Sequence, residues 1–165
     1  MTLTSPQPPV TDTGWTPAMW TLTRWADDLG IEVIDAGPFG PVWDGRHLFA
    51  GAFMAASDLS HEIAHWLIAP PALRALPNFG LGRDWQGGDA GLVFGRAERL
   101  DAEALASALG IALLKAVEPL TWFAQVSCWG HTMAADPCWT GRWAALTAAV
   151  EEHVEAFRVW LATCD

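Results

Sequence analysis

The segment from Ala55 to Pro71 constrains this chain more than any other. It is apolar along most of its length, and Pro70-Pro71 ends it, because proline cannot continue a helix. Helical spacing gives Leu59, Ile63, Ala64, Leu67 and Ile68 a side that must be buried, which predicts a core helix over about Ser57–Ala69. Within it stands His61-Glu62-Ile63-Ala64-His65. A spacing of four brings both imidazoles to one face, one turn apart, where they can grip a single metal ion. Glu62 projects beside the same position. In zinc peptidases a glutamate so placed polarises the metal-bound water as general base. The plainer alternative is a pair of helix histidines in polar packing beside a surface glutamate.

The rest of the chain supplies the elements around this helix. Residues 1–14 read as a flexible tail rich in Thr, Pro and Ser. Thr16 as cap and Pro17 at the first helical position start a helix that Gly30 ends. Ile31–Ile34 suits a short strand. Val42–Phe49 suits a hairpin around Asp44-Gly45, the pair favoured in primed two-residue turns with both positions at positive φ. After a Gly- and Asp-rich loop (Asn78 to Gly91), Leu92–Phe94 suits another short strand. Asp101 can cap a helix to about Val117, with Leu105, Leu109 and Leu113 along one side. Pro119 to Asp136 is less regular. A long amphipathic helix from about Gly141 carries Trp143, Leu146, Val150, Val154, Phe157 and Leu161 on one face, and Glu151, Glu152, Glu155 and Arg158 on or beside the other. With no repeat and no linker, residues 15–165 read as a single metal-binding domain. Its expected class is α+β and helix-dominated, with a small β-hairpin or sheet and a zincin-like metal-binding helix.

Composition narrows the function classes. The 165 residues are 52% apolar, enough for a sizeable core, and carry 19 acidic against nine basic side chains for a net charge of -10. Lys115 is the sole lysine, so nucleic acid and anionic membranes are disfavoured as partners. No apolar run is long enough to span a bilayer, and the N-terminus lacks the basic start and apolar run of a secretory signal. The three cysteines, Cys128, Cys138 and Cys164, form no CxxC pair and fit a reducing cytoplasm, with a Cys128–Cys138 bridge as the geometric alternative. Eleven tryptophans serve as large packing residues, whereas the absence of tyrosine removes one common catalytic donor.

Two histidines leave a metal site incomplete, since a third protein ligand is usual. Glu98 lies just ahead of the helix expected from Asp101. Glu103 falls in that helix's first turn, where its charge also suits the helix dipole. Asp101 is a further candidate. His131 follows Cys128-Trp129-Gly130 and reads as a ligand, a supporting donor or an ordinary loop histidine. His47 in the hairpin is similarly open, and His153, among the glutamates of the last helix, receives no role.

Ala55–Ala69, followed by Arg74 and Asn78-Phe79-Gly80, resembles the metal-binding segment of the bacterial elongation factor P hydroxylases. There the histidine motif likewise runs on into tryptophan, then an arginine, then a Phe-Gly turn. Ala97-Glu98 is similar to the acidic position ahead of the corresponding helix, and Val126-Ser127-Cys128 to a Val-Ser-Cys segment. The likeness covers about residues 46–128 and is strongest over 55–80. It implies a two-His-one-carboxylate site that holds Fe(II), with His61 and His65 as the histidines. Glu98, reached by a one-residue shift, is the first choice for the carboxylate and Glu103 the second. The chain departs from the family in its short length, its Gly-rich loop at 87–91 and its C-terminal helix. The site therefore carries over more firmly than the protein target.

Three chemistries follow. As an iron hydroxylase, the chain would use His61, His65 and Glu98 on one face of Fe(II), leaving positions for oxygen and a protein or peptide substrate. Trp66 and Trp85 are the nearest sequence candidates for shielding, although each also reads as simple packing. Glu62 would support the site or face the substrate, and the acidic surroundings suit a cationic side chain such as a modified lysine. As a zinc metallopeptidase, the chain would use Glu62 as base, with His131, His47 or an arginine stabilising the oxyanion. As a non-catalytic interaction domain, it would use the ion only to tie two helices together.

Overall fold

The computed structural model describes residues 15–37, 42–51, 54–82, 93–118 and 142–164. Expectations placed on the N-terminal tail, Trp85, Cys128, His131 and Cys138 lie outside the described residues.

Helix α1 covers Pro17–Asp28. Thr16 accepts the Met19 N–H at 3.3 Å, Pro17 sits in the first turn, and Gly30 at φ 82° ends the helix, all as its sequence predicts. Three short strands follow: β1 over Glu32–Asp35, β2 over Val42–Trp43 and β3 over His47–Ala50. β3 lies in the middle. β1 joins it in parallel with Glu32 opposite His47, and β2 joins it antiparallel with Val42 opposite Phe49.

The hairpin turn differs from expectation. Asp44 N–H donates to the His47 carbonyl, so the central pair is Gly45-Arg46 and only Gly45 takes positive φ, at 100°. Glycine at the first central position is the II′ pattern. The cause is the Asp44 side chain, which accepts the N–H groups of Arg46 at 2.8 Å and His47 at 2.7 Å and so fixes the turn one residue later.

Helix α2 spans Ala56–Ile68 and stops at the two prolines, after which Pro71–Arg74 forms the short helix α3. A 3-10 turn at Pro77–Gly80 follows, then α4 over Arg96–Val117 and α5 over Trp143–Thr163. α4 begins five residues before Asp101, so Asp101 lies inside the helix and does not cap it. The start is fixed instead by Glu98, whose carboxylate accepts the Gly95 N–H at 2.8 Å. Val93 and Phe94 belong to no strand, although Val93 N–H reaches the Gly80 carbonyl at 3.0 Å.

The described elements form a helix-dominated α+β structure around one principal core. Leu22, Trp25, Ile31, Leu48, Leu59, Ile63, Leu109, Leu113, Val150 and Phe157 are all buried in it. α5 joins α1 through Trp25 and Phe157, with ring centroids 4.3 Å apart, and through the Trp160 indole donating to Asp28 at 2.6 Å. α2 is thereby enclosed by α1 on one side and α4 on another, which fixes the orientation of its histidines.

Candidate metal centre

The site begins with how closely α2 and α4 approach. On α4, Glu103, Ala106, Ser107 and Gly110 recur at helical spacing and share one face. A β-carbon placed on Gly110 would stand 3.0 Å from the His61 Cα and 3.1 Å from its N, so any larger residue would press on the α2 backbone and push the helices apart by a few tenths of an ångström. Small residues beside Glu103 bring its carboxylate down onto the histidine face of α2.

There His61 Nε2 lies 3.2 Å from Glu103 Oε2, His65 Nε2 lies 3.4 Å from the same oxygen, and the two nitrogens are 3.0 Å apart. Both histidines are buried and Glu103 is half-buried. Among the described residues, these three form the one group of His, Cys, Asp or Glu side chains close enough to share a metal ion.

Proton counting tests whether a cation fits. With both Nε2 atoms protonated, each can donate to Glu103, but the nitrogens then oppose hydrogen to hydrogen. With one protonated, the other turns a lone pair toward the ionised carboxylate. With Glu103 ionised, neither arrangement makes all three contacts attractive, whereas a cation facing all three satisfies them together. Donors 3.0–3.4 Å apart also match three ligands spread by about 90–110° around an ion at roughly 2.1 Å. The residues present therefore fit a divalent metal.

The electrostatics are consistent with that fit. Burial raises the Glu103 carboxyl, but hydrogen bonds and charge from His61 and His65 outweigh it and hold the group well below the usual carboxylate range. Burial pushes the His61 imidazole down and so favours the neutral, ligating form, with Glu103 opposing. Glu62 makes no third-ligand contact. Burial pushes its carboxyl up to about 7, His65 pulls the other way, and Glu103 and Asp58 add to the rise.

The far side of His65 is built from an unusual backbone. Asn78 (φ 45°), Phe79 (φ 56°) and Gly80 (φ 72°) are consecutive left-handed residues, and only glycine adopts that conformation freely. The turn lays the buried Phe79 ring against His65, at a centroid distance of 5.6 Å and 21° between planes. Trp43 stacks near-parallel on Phe79 at 5.4 Å, and its indole donates to the Arg74 carbonyl at 2.7 Å. Arg74 in turn donates to the Ala69 and Leu67 carbonyls at the end of α2, with its guanidinium 3.8 Å over Trp66. These contacts hold α2 at its C-terminal end.

The sequence candidates thus separate. His61, His65 and Glu103 come together. Glu98, the first choice for the carboxylate, is exposed in the first turn of α4 and engaged on Gly95. Five residues of helix, about 140°, turn it away from the Glu103 face. Asp101 pairs with Arg142 at 2.6 Å. His47 is held in the sheet between Asp44 at 3.2 Å and Glu32 at 3.5 Å. Trp66 lies under Arg74. The functional features that sequence reading passed over are the Gly110 contact and the left-handed seat of Phe79. The first was signalled by Ala106-Ser107 and Gly110 falling on the Glu103 face. Compared with protein-family models, characterised proteins and solved structures, the chain matches none.

Proposed function

We propose that the chain is a metal-dependent enzyme in which His61, His65 and Glu103 hold one Fe(II), and that it hydroxylates a protein or peptide substrate in the manner of the elongation factor P hydroxylases. The observation that carries this reading is the convergence of two imidazoles and one carboxylate on a buried helix pair. That donor set, with positions left open, is the one non-haem iron oxygenases use. Bound there, Fe(II) would activate O2 so that one oxygen atom enters a substrate C–H bond and the other leaves as water, with two electrons drawn from a reductant. The chain's own residues have narrower duties. His61 and His65 would offer their Nε2 lone pairs to the ion, and Glu103 would supply the charge. Phe79 and the packing of α2 on α4 fix the imidazole planes. The resemblance of residues 55–80 to the hydroxylase segment supports the choice of metal, and the cysteine usage supports a cytoplasmic setting.

A zinc hydrolase is the second reading, and Glu62 favours it. A carboxyl raised to about 7 beside the metal donors suits a general base working near neutral pH. Metal analysis separates the readings when protein purified without chelators or added metal is compared with His65→Ala. Iron present in the parent and lost in the variant supports the hydroxylase. Its Fe(II) form should then bind nitric oxide with a characteristic paramagnetic signal, reporting an open position. Zinc lost in the variant, together with peptide hydrolysis abolished by Glu62→Gln at unchanged metal content, would move the assignment to the hydrolase. Parent protein that takes up neither metal overturns both.

A further inference from the structure

Beside the metal donors lies a cleft of about 290 Å³. His65 forms one wall, and Leu73, Phe79, Phe94 and Leu105 form much of the remainder. Its lining includes both His65 and the Phe79 ring stacked on it, so a group seated against that wall reaches the imidazole proposed to hold the ion. Among the described residues on its lining Asp101 is the single carboxylate, and Arg142 meets that carboxylate at 2.6 Å.

We propose that the cleft is a binding subsite for an uncharged apolar group of the substrate, an aliphatic or phenyl-sized substituent seated between Phe79 and Leu105 against His65. The walls offer dispersion contacts and removal of apolar surface from water. Among the described residues they offer no unmatched anion to a cation, which would lose its hydration on entry. Size agrees, since an apolar cavity of about 150 Å³ already accepts benzene. As a substrate subsite the cleft depends on the metal-centre reading, whereas as a site for apolar groups it depends only on its walls.

Toluene and N-methylpyridinium have nearly the same shape and differ in charge, so they are the probes. Each is titrated by ligand-observed NMR against the metal-free full chain and against Asp101→Asn, Ala102→Leu and Leu73→Phe. Cobalt(II) uptake is measured on the same samples. Toluene should bind the parent and Asp101→Asn alike, and at least tenfold more tightly than N-methylpyridinium does. Ala102→Leu and Leu73→Phe fill the cleft from two different helices, and whichever folds should weaken toluene by tenfold or more while still taking up cobalt. Absent toluene binding, binding that survives both filling variants, or preference for the cation that Asp101→Asn removes would each overturn the proposal. Failure of cobalt to bind the parent would instead overturn the metal centre and leave the toluene result to stand by itself.

Discussion

At the scale of single residues, two glutamates on one helix have opposite roles. Glu103 faces α2 and touches both histidines, whereas Glu98 caps the helix start. Glu103→Ala should lower cobalt(II) or Fe(II) affinity by at least about a hundredfold, the upper range for lost support of a metal site. Glu98→Ala should leave affinity unchanged and cost about 1 kcal/mol of stability in denaturant unfolding, as lost helix caps do. Equal metal loss in both variants would show that Glu103 is not the specific ligand. The sequence made both histidines legible, because a spacing of four fixes their common face whatever the tertiary structure. The carboxylate was not legible in the same way. The family resemblance points to an acidic residue ahead of the helix, and taking Asp101 as the cap sets the start of α4 six residues late, so Glu98 falls ahead of the helix instead of in its first turn. Asp44 offers a second residue-scale test. Burial raises its carboxyl, but the His47 and Arg46 N–H groups and the His47 side chain outweigh this and leave it below 3.8. A depressed folded-state pKa contributes stability above the ordinary value that is lost as pH falls through the folded value. Asp44→Asn keeps an acceptor in the turn without the charge, so it should be less stable than the parent near about pH 6, with the gap closing as pH falls past the ordinary value of 3.8 and through the lower folded one. A gap independent of pH in urea unfolding would refute the assignment.

At the scale of elements, the site is a property of the α2–α4 contact more than of either helix alone. Gly110 meets the backbone of His61 and Ser60, atoms that cannot turn aside as a side-chain tip would. Gly110→Ala favours helix propensity by about 1 kcal/mol, yet overpacking a close contact costs roughly 1–3 kcal/mol. The net expectation is a lower melting temperature together with weaker metal binding, because the added methyl lifts Glu103 away from the imidazoles. Ala112→Gly on the same helix gives the contrast: it should lose stability through propensity while retaining metal affinity. If Gly110→Ala binds metal as the parent does, α4 is not held in register by this contact. Element existence was largely legible. Caps, prolines and apolar periods located α1, α2 and α5 to within about two residues. Short range misled at Asp44-Gly45, where a side chain moved the turn by one position, and at Asn78-Phe79. No local rule expects a bulky aromatic in left-handed backbone, because that conformation is imposed by what Phe79 packs on: Trp43 and His65.

At the scale of the whole molecule, the three proposed metal donors come from two helices that are far apart in sequence, and those helices enter the same core as α1, the sheet and α5. An ion that binds three groups in the folded chain finds them dispersed in the unfolded one, so its binding free energy adds to folding stability. At a free ion concentration one hundred times the dissociation constant the gain is about 2.7 kcal/mol. For a chain of this size that corresponds to a rise of roughly 5–10 °C in melting temperature. Cobalt(II) or anaerobic Fe(II) should produce this rise in the parent and a chelator should reverse it. His65→Ala and Glu103→Ala should give little or none, while Glu98→Ala should rise by as much as the parent from a slightly lower start. Acid should abolish the effect. The imidazoles must be neutral to ligate, and competition from protons grows as pH falls through the histidine range near about 6.5, even though burial holds His61 neutral to somewhat lower pH. A rise of the same size in His65→Ala would place the ion elsewhere on this acidic surface. A rise confined to the parent and Glu98→Ala would instead tie folding and metal binding to the same three side chains.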